Sequence, residues 1–121
     1  GAVLVKDGRP ISFGFNGAPS ETDNCCDLGE CQRDQGGERR YGRCRAVHSE
    51  ENALHFASPS DKMGSTIYIA RDPSSHPSVV EVSPCYHCRA LLVNNKIARV
   101  VCLQDDDTIL EFNPKDWLGE L

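Results

Sequence analysis

Short apolar runs with period-two alternation, separated by a turn dipeptide, open the chain. Ala2-Val3-Leu4-Val5 and Ile11-Ser12-Phe13-Gly14-Phe15 flank Asp7-Gly8, a pair suited to the positive-φ positions of a tight turn, so the two runs predict a β-hairpin. Residues 16–45 are rich in Gly, Asp, Glu and Cys without a sustained period, which reads as a long loop of the functional or metal-clipped kind. A helical period appears over residues 46–56, where Glu50, Ala53, Leu54 and Ala57 follow the i, i+3, i+4, i+7 spacing on one face. Residues 66–70 read as a strand and residues 73–77 as a polar loop. Residues 79–82 run extended into Ser83, which is placed to cap a helix whose first residue is Pro84. That helix is expected to reach about Asn94, with Cys88, Leu91 and Leu92 on its inner face. Residues 99–103 and 108–112 read as strands; the few polar residues between them cannot make a parallel crossover, which needs about a dozen, so an antiparallel pair is predicted. Asn113-Pro114 then starts a short terminal helix through Trp117 and Leu118. The order ββαβαββα implies an α/β fold, a mixed sheet with helices packed on it.

At 121 residues, with no internal repeat or interdomain linker, the chain is sized for one domain over residues 1–121. Thirteen Lys plus Arg against eighteen Asp plus Glu, a net charge of -5 without a basic block, argue against tracking a phosphate backbone and favour a small substrate. No apolar run approaches the roughly 20 residues needed to cross a bilayer, and no signal-like segment opens the chain. The seven cysteines are odd in number and two of them form Cys-x-x-Cys, so reduced thiols and metal are read in preference to a disulfide scaffold. A soluble cytoplasmic protein is expected. Gly1 stands almost directly on the first strand, as a processed or trimmed end would.

The chemistry lies in His48-Ser49-Glu50 and Pro84-Cys85-Tyr86-His87-Cys88. Together they supply one imidazole, two thiolates and a carboxylate. A structural zinc takes four protein ligands, whereas three nitrogen and sulfur ligands leave a position for water, which zinc acidifies to a pKa of about 7. A purely structural zinc site is the competing reading for His48, Cys85 and Cys88, and a dipole-complementing acid on an exposed helix start is the competing reading for Glu50. The apolar company of Ala53, Leu54 and Ala57 favours a carboxylate with a task, because such a group is rarely buried without a partner. Cys85 and Cys88 are expected in the first turn of their helix, where the positive end of the dipole favours thiolate.

With these motifs in hand, the chain resembles the zinc-dependent cytidine deaminase superfamily, and the deoxycytidylate deaminase branch above all. The resemblance implies a three-layer α/β/α sandwich of the cytidine deaminase type, a mixed five-stranded sheet with helices on both faces. It implies one catalytic zinc on His48, Cys85 and Cys88, with Glu50 carrying a proton from water to the pyrimidine N3. Gly14-Phe15-Asn16-Gly17-Ala18-Pro19 matches a segment that contacts the sugar in that branch, which makes Asn16 a substrate residue, and the backbone around Ser49 and Ser83 would read the pyrimidine edge. A plain strand-to-loop turn is the alternative for Asn16-Gly17. The partner implied is a small cytosine nucleotide or nucleoside, with a dCMP-like molecule favoured, and a homo-oligomer is expected. Ser49 stands where those enzymes usually have Ala. The extra stretch over residues 71–83, the run Val82-Ser83-Pro84-Cys85 followed by Arg89, and the Asp-rich hairpin resemble the free-nucleoside and blasticidin-type enzymes. The helix that ordinarily precedes the first strand is not in this sequence.

Cys25, Cys26, Cys31 and Cys44 crowd the long loop before His48. They resemble a cysteine-bearing insert that holds a second, structural zinc in bacterial deoxycytidylate deaminases, with free or partly buried thiols as the alternative. Cys102 reads as a small core residue, and His55, His76 and His87 as surface or edge residues. Two further functions stay open: deamination of cytosine in nucleic acid, which the acidic balance disfavours, and a non-catalytic zinc-stabilised binding module, for which Glu50 has no use.

Overall fold

The structure is a computed structural model and describes residues 1–17, 47–72 and 81–121. β1 (Ala2–Lys6) and β2 (Arg9–Gly14) form the hairpin expected from Asp7-Gly8. Asp7 has φ 52° and Gly8 φ 76°, the two positive values of a type I′ turn, whose twist suits the flanking strands. Pro10 is accommodated because β2 is an edge strand. Next come α1 (Ser49–His55), α2 (Pro59–Lys62), β3 (Thr66–Ile69), α3 (Tyr86–Asn94), β4 (Arg99–Leu103), β5 (Ile109–Phe112) and a terminal 3-10 helix (Pro114–Glu120). The short α2 went unread in the sequence, although Ser58 accepts a hydrogen bond from the Asp61 N–H and Pro59 occupies the first turn, a cap arrangement visible in Ser58-Pro59.

The sheet order is β2-β1-β3-β4-β5. β3 and β4 run parallel, joined across α3, while the remaining neighbours are antiparallel. The β4–β5 pairing is the antiparallel one that its short connection demands. Asp107 takes φ 68° and the Asp106 carboxylate accepts from both the N–H and the hydroxyl of Thr108, so local hydrogen bonding closes the hairpin.

Strand alternation places Leu4, Ile67, Val100 and Cys102 on one face, where they form a core with Ala53, Leu54, Leu92, Ile97 and Trp117. α1, α3 and the 3-10 helix therefore share that face. Cys102 is fully buried within it, the core role its strand context indicated. The opposite face carries Phe13, Tyr68, Leu103 and Ile109, all exposed, around a groove of about 520 Å³. No helix among the described residues covers that face.

α3 corrects one local expectation. Ser83 does not cap it and Pro84 is not its first residue: the N-cap is Cys85, without a side-chain cap bond, and the helix starts at Tyr86. The Gln104 carboxamide receives the Val82 N–H at 2.9 Å and donates back to the Val82 carbonyl at 2.9 Å. The other end of α3 closes as a Schellman motif, with Lys96 N–H to Val93 O and Ile97 N–H to Leu92 O, and with Lys96 at φ 58°.

Candidate functional site

α1 and α3 present their N-termini to one point beyond the carboxyl end of β3, where ligands commonly lie in sheets with parallel strands. His48 is the N-cap of α1 and Cys85 the N-cap of α3, with Cys88 in its first turn. The His48 Nδ1 lies 3.5 Å from Cys85 Sγ and 3.4 Å from Cys88 Sγ, and all three ligand atoms fall within 4.8 Å of one another. Tetrahedral zinc, with its usual bond lengths to nitrogen and sulfur, holds those two atom types roughly 3.5 Å apart. The donor set therefore fits zinc in type and spacing. Hydrogen bonding with Cys88 pulls the Cys85 thiol down to about 5, while the same bond and burial push the Cys88 thiol up.

Glu50 follows His48 by two positions, and its place on the inner face of α1 leaves it only 8% exposed. The Ser49 hydroxyl donates to its Oε1 at 2.7 Å, which satisfies part of a buried carboxylate and holds its rotamer. Glu50 lines a cavity of about 460 Å³ together with Asn16, His48, Ser49, Ser83 and Cys85, within the range of roughly 300–1,000 Å³ usual for small-molecule sites. Of the residues expected at the site, Asn16, His48, Ser49, Glu50, Ser83 and Cys85 line this pocket, and the buried Cys88 joins them through its ligand-distance grouping with His48 and Cys85. Cys25, Cys26, Cys31 and Cys44 lie outside the described residues. His55 and His87 are exposed, as surface residues should be, and His76 lies outside the described residues.

The helix that carries Glu50 is stitched to β2 and its exit. Asn16 Oδ1 accepts the Ser49 N–H at 2.6 Å, capping α1 from a neighbouring segment where His48 offers no cap of its own. Asn52 Nδ2 donates to Phe15 O at 2.7 Å, the buried Ser12 hydroxyl donates to Ala53 O at 2.6 Å, and Gly17 pairs with Val47 across an isolated bridge. Asn16 thus has a structural task besides its place on the pocket wall. Sequence reasoning missed Ser12, Gln104 and Arg71 as parts of this region. Ser12 could have been found, since it falls on the inward side of a strand whose other inward residues are small or apolar. Arg71 lines the pocket and its guanidinium pairs with Asp105. Asp72 and Glu81 line it as well.

Comparison with known proteins agrees with this geometry. Residues 1–104 match the model of the cytidine and deoxycytidylate deaminase zinc-binding region. The chain is 36% identical over 109 residues to the deoxycytidylate deaminase of Mycobacterium phage D29, covering 84% of this chain and 74% of that protein. It is 34% identical over 106 residues to the deoxycytidylate deaminase of Saccharomyces cerevisiae, covering 86% of this chain and 30% of the yeast protein. Its fold is similar to the dCMP deaminase of the cyanophage S-TIM5 in complex with dCMP and dUMP, with a TM-score of 0.55 at 26% identity, over 84% of this chain and 62% of that chain. The chain thus spans under two thirds of the yeast and cyanophage proteins. The convergent His48, Cys85 and Cys88, the mixed five-stranded sheet and a match running from residue 1 to residue 104 place the chain in the cytidine and deoxycytidylate deaminase zinc-binding family.

Proposed function

We propose that this chain catalyses the hydrolytic deamination of a cytosine nucleotide or nucleoside, with dCMP the favoured substrate, to the uracil product and ammonia. The observation that carries the reading is a buried carboxylate, Glu50, sharing a pocket wall with His48 and Cys85 of a His-Cys-Cys donor set of zinc-like spacing. His48, Cys85 and Cys88 would hold the zinc. Bound there, zinc supplies a water acidified to a pKa of about 7 as the attacking group. As the water oxygen adds to C4, Glu50 would carry one of its protons to N3 of the pyrimidine and then the other to the amino group, so that the C4–N bond breaks and ammonia leaves. Ser49 holds the Glu50 carboxylate through its hydroxyl, and its backbone, with that of Ser83, faces the pyrimidine. Asn16 keeps the start of α1 in place and borders the sugar.

The names and ligands of the phage relatives favour dCMP. Turnover of dCMP, CMP, deoxycytidine, cytidine, blasticidin S and single-stranded DNA, followed by ammonia release, tests this reading. dCMP should be the best substrate and single-stranded DNA should not be turned over. A zinc-loaded protein that deaminates none of them would instead be a binding module. The functional unit is read as a single cytoplasmic domain that assembles as a homo-oligomer. No helix among the described residues is long and apolar enough to cross a membrane.

Metal analysis of protein purified without chelator should give one zinc per chain from the described site, lost in His48→Ala. A second, structural zinc on Cys25, Cys26, Cys31 and Cys44 would add another equivalent, and Cys31→Ser or Cys44→Ser should then remove it and destabilise that segment. Unchanged zinc in both serine variants assigns those thiols no metal. Zinc-free wild type contradicts the whole reading.

A further inference from the structure

The three ligands are secured unequally. Cys88 is fully buried and fixed by the core, and His48 starts a helix tied to β2, but Cys85 is exposed at the start of α3 with no cap bond of its own. Its direction depends on the Pro84–Cys85 peptide plane. Arg89 grips that plane through its side chain, whose Nε donates to the Pro84 carbonyl at 3.0 Å, and its backbone N–H makes the first helical bond, to the Cys85 carbonyl at 2.9 Å. The guanidinium carbon lies 5.2 Å from the centre of the Trp117 ring, and Nη1 pairs with Glu120 at 3.2 Å. Trp117 is itself buried and packed on Phe112 at 5.5 Å between ring centres. A planar cation suits this place, since it can stack on an indole while its edge donates in a fixed direction.

We propose that Arg89 is a positioning residue for the metal centre: laid on Trp117 and braced by Glu120, it fixes the Pro84 carbonyl and thereby aims the Cys85 thiolate. The terminal 3-10 helix becomes part of the support of the site, though it touches neither substrate nor metal. The inference rests on the zinc reading of His48, Cys85 and Cys88. Groups one shell out from a metal typically alter its affinity by about 10- to 100-fold when removed.

Zinc affinity measured by chelator competition on the full chain tests it, alongside the thermal midpoint of each metal-free protein. Arg89→Met keeps an apolar stem against Trp117 and removes the donors, so it should weaken zinc binding by about 10- to 100-fold. Arg89→Gln, which is too short for the same reach, should do likewise and carries the test if the methionine variant does not fold. Phe112→Leu loosens the same packing from the far side of Trp117 and should lower the midpoint while leaving zinc affinity within about threefold of wild type. If the Arg89 variants bind zinc within about threefold of wild type, as Phe112→Leu should, Arg89 is merely structural and the proposal falls. Wild-type protein without zinc would overturn the zinc reading itself, a result separate from equal affinities in wild type and variants.

Discussion

Glu50→Ala and Glu50→Gln are expected to keep zinc and fold but to lose about 10²- to 10⁴-fold in kcat/KM for dCMP, the span that general acid–base catalysis typically supplies. Glu50 stands at the pocket wall, buried, on the helix that begins at His48. Alanine removes the group. Glutamine preserves shape and can still accept a bond from the Ser49 hydroxyl, yet it cannot take up a proton, so it should be nearly as inactive. Neither change should harm stability much, because each removes a carboxylate from a poorly solvated position, and relief of that cost offsets lost packing. Steady-state kinetics, zinc content and thermal midpoints on the same preparations check all three parts. A variant working within a few-fold of wild type would remove Glu50 from the mechanism.

Most of what positions this site was legible along the chain because its signals are local. Asp7-Gly8 could hardly be anything but a hairpin turn, and the Glu50, Ala53, Leu54, Ala57 stripe is buried as its spacing requires. The His48, Cys85 and Cys88 set was readable because each ligand sits at a helix start, and two helix starts can meet in space however far apart they lie in sequence. What local pattern could not show was long-range. Ser83 has the chemistry of a cap, but the Gln104 carboxamide ties the backbone of Val82, and α3 begins two residues later than Pro84. Nothing in the neighbourhood of residue 83 announces a partner 22 residues away. Asn16 likewise reads as a substrate residue, yet its first observable task is to accept the Ser49 N–H. The short terminal helix read after Asn113-Pro114 is present, as a 3-10 helix over Pro114–Glu120.

Gly14→Ala is expected to damage both stability and activity, although it adds a single methyl group. A Cβ at Gly14 would lie 2.0 Å from the Ser49 carbonyl oxygen and 2.5 Å from the Ala53 nitrogen, both backbone atoms of α1. Backbone cannot rotate aside as a flexible side chain can, so the helix or the strand end must move. Gly14 is not a positive-φ glycine; space rather than conformational freedom demands it. The displacement would pull on the bonds that set this spacing, Ser12 to Ala53, Asn52 to Phe15 and Ser49 to Asn16. Overpacking of this kind costs about 1–3 kcal/mol and occasionally more, which in a domain of this size lowers the thermal midpoint by roughly 3–15 °C. Activity should fall further than stability alone explains, since Glu50 rides on the displaced turn and a shift of about 1 Å can cost on the order of 10²-fold. Gly8→Ala gives the contrast. Gly8 has φ 76° and nothing within 4 Å of an added Cβ, so alanine there should lower stability by about 1–2 kcal/mol through strain in the left-handed region while kcat/KM in the folded protein stays within about twofold. Equal kinetics for the two alanine variants would show that β2 and α1 do not approach as closely as Gly14 implies, and that the position of Glu50 is set elsewhere.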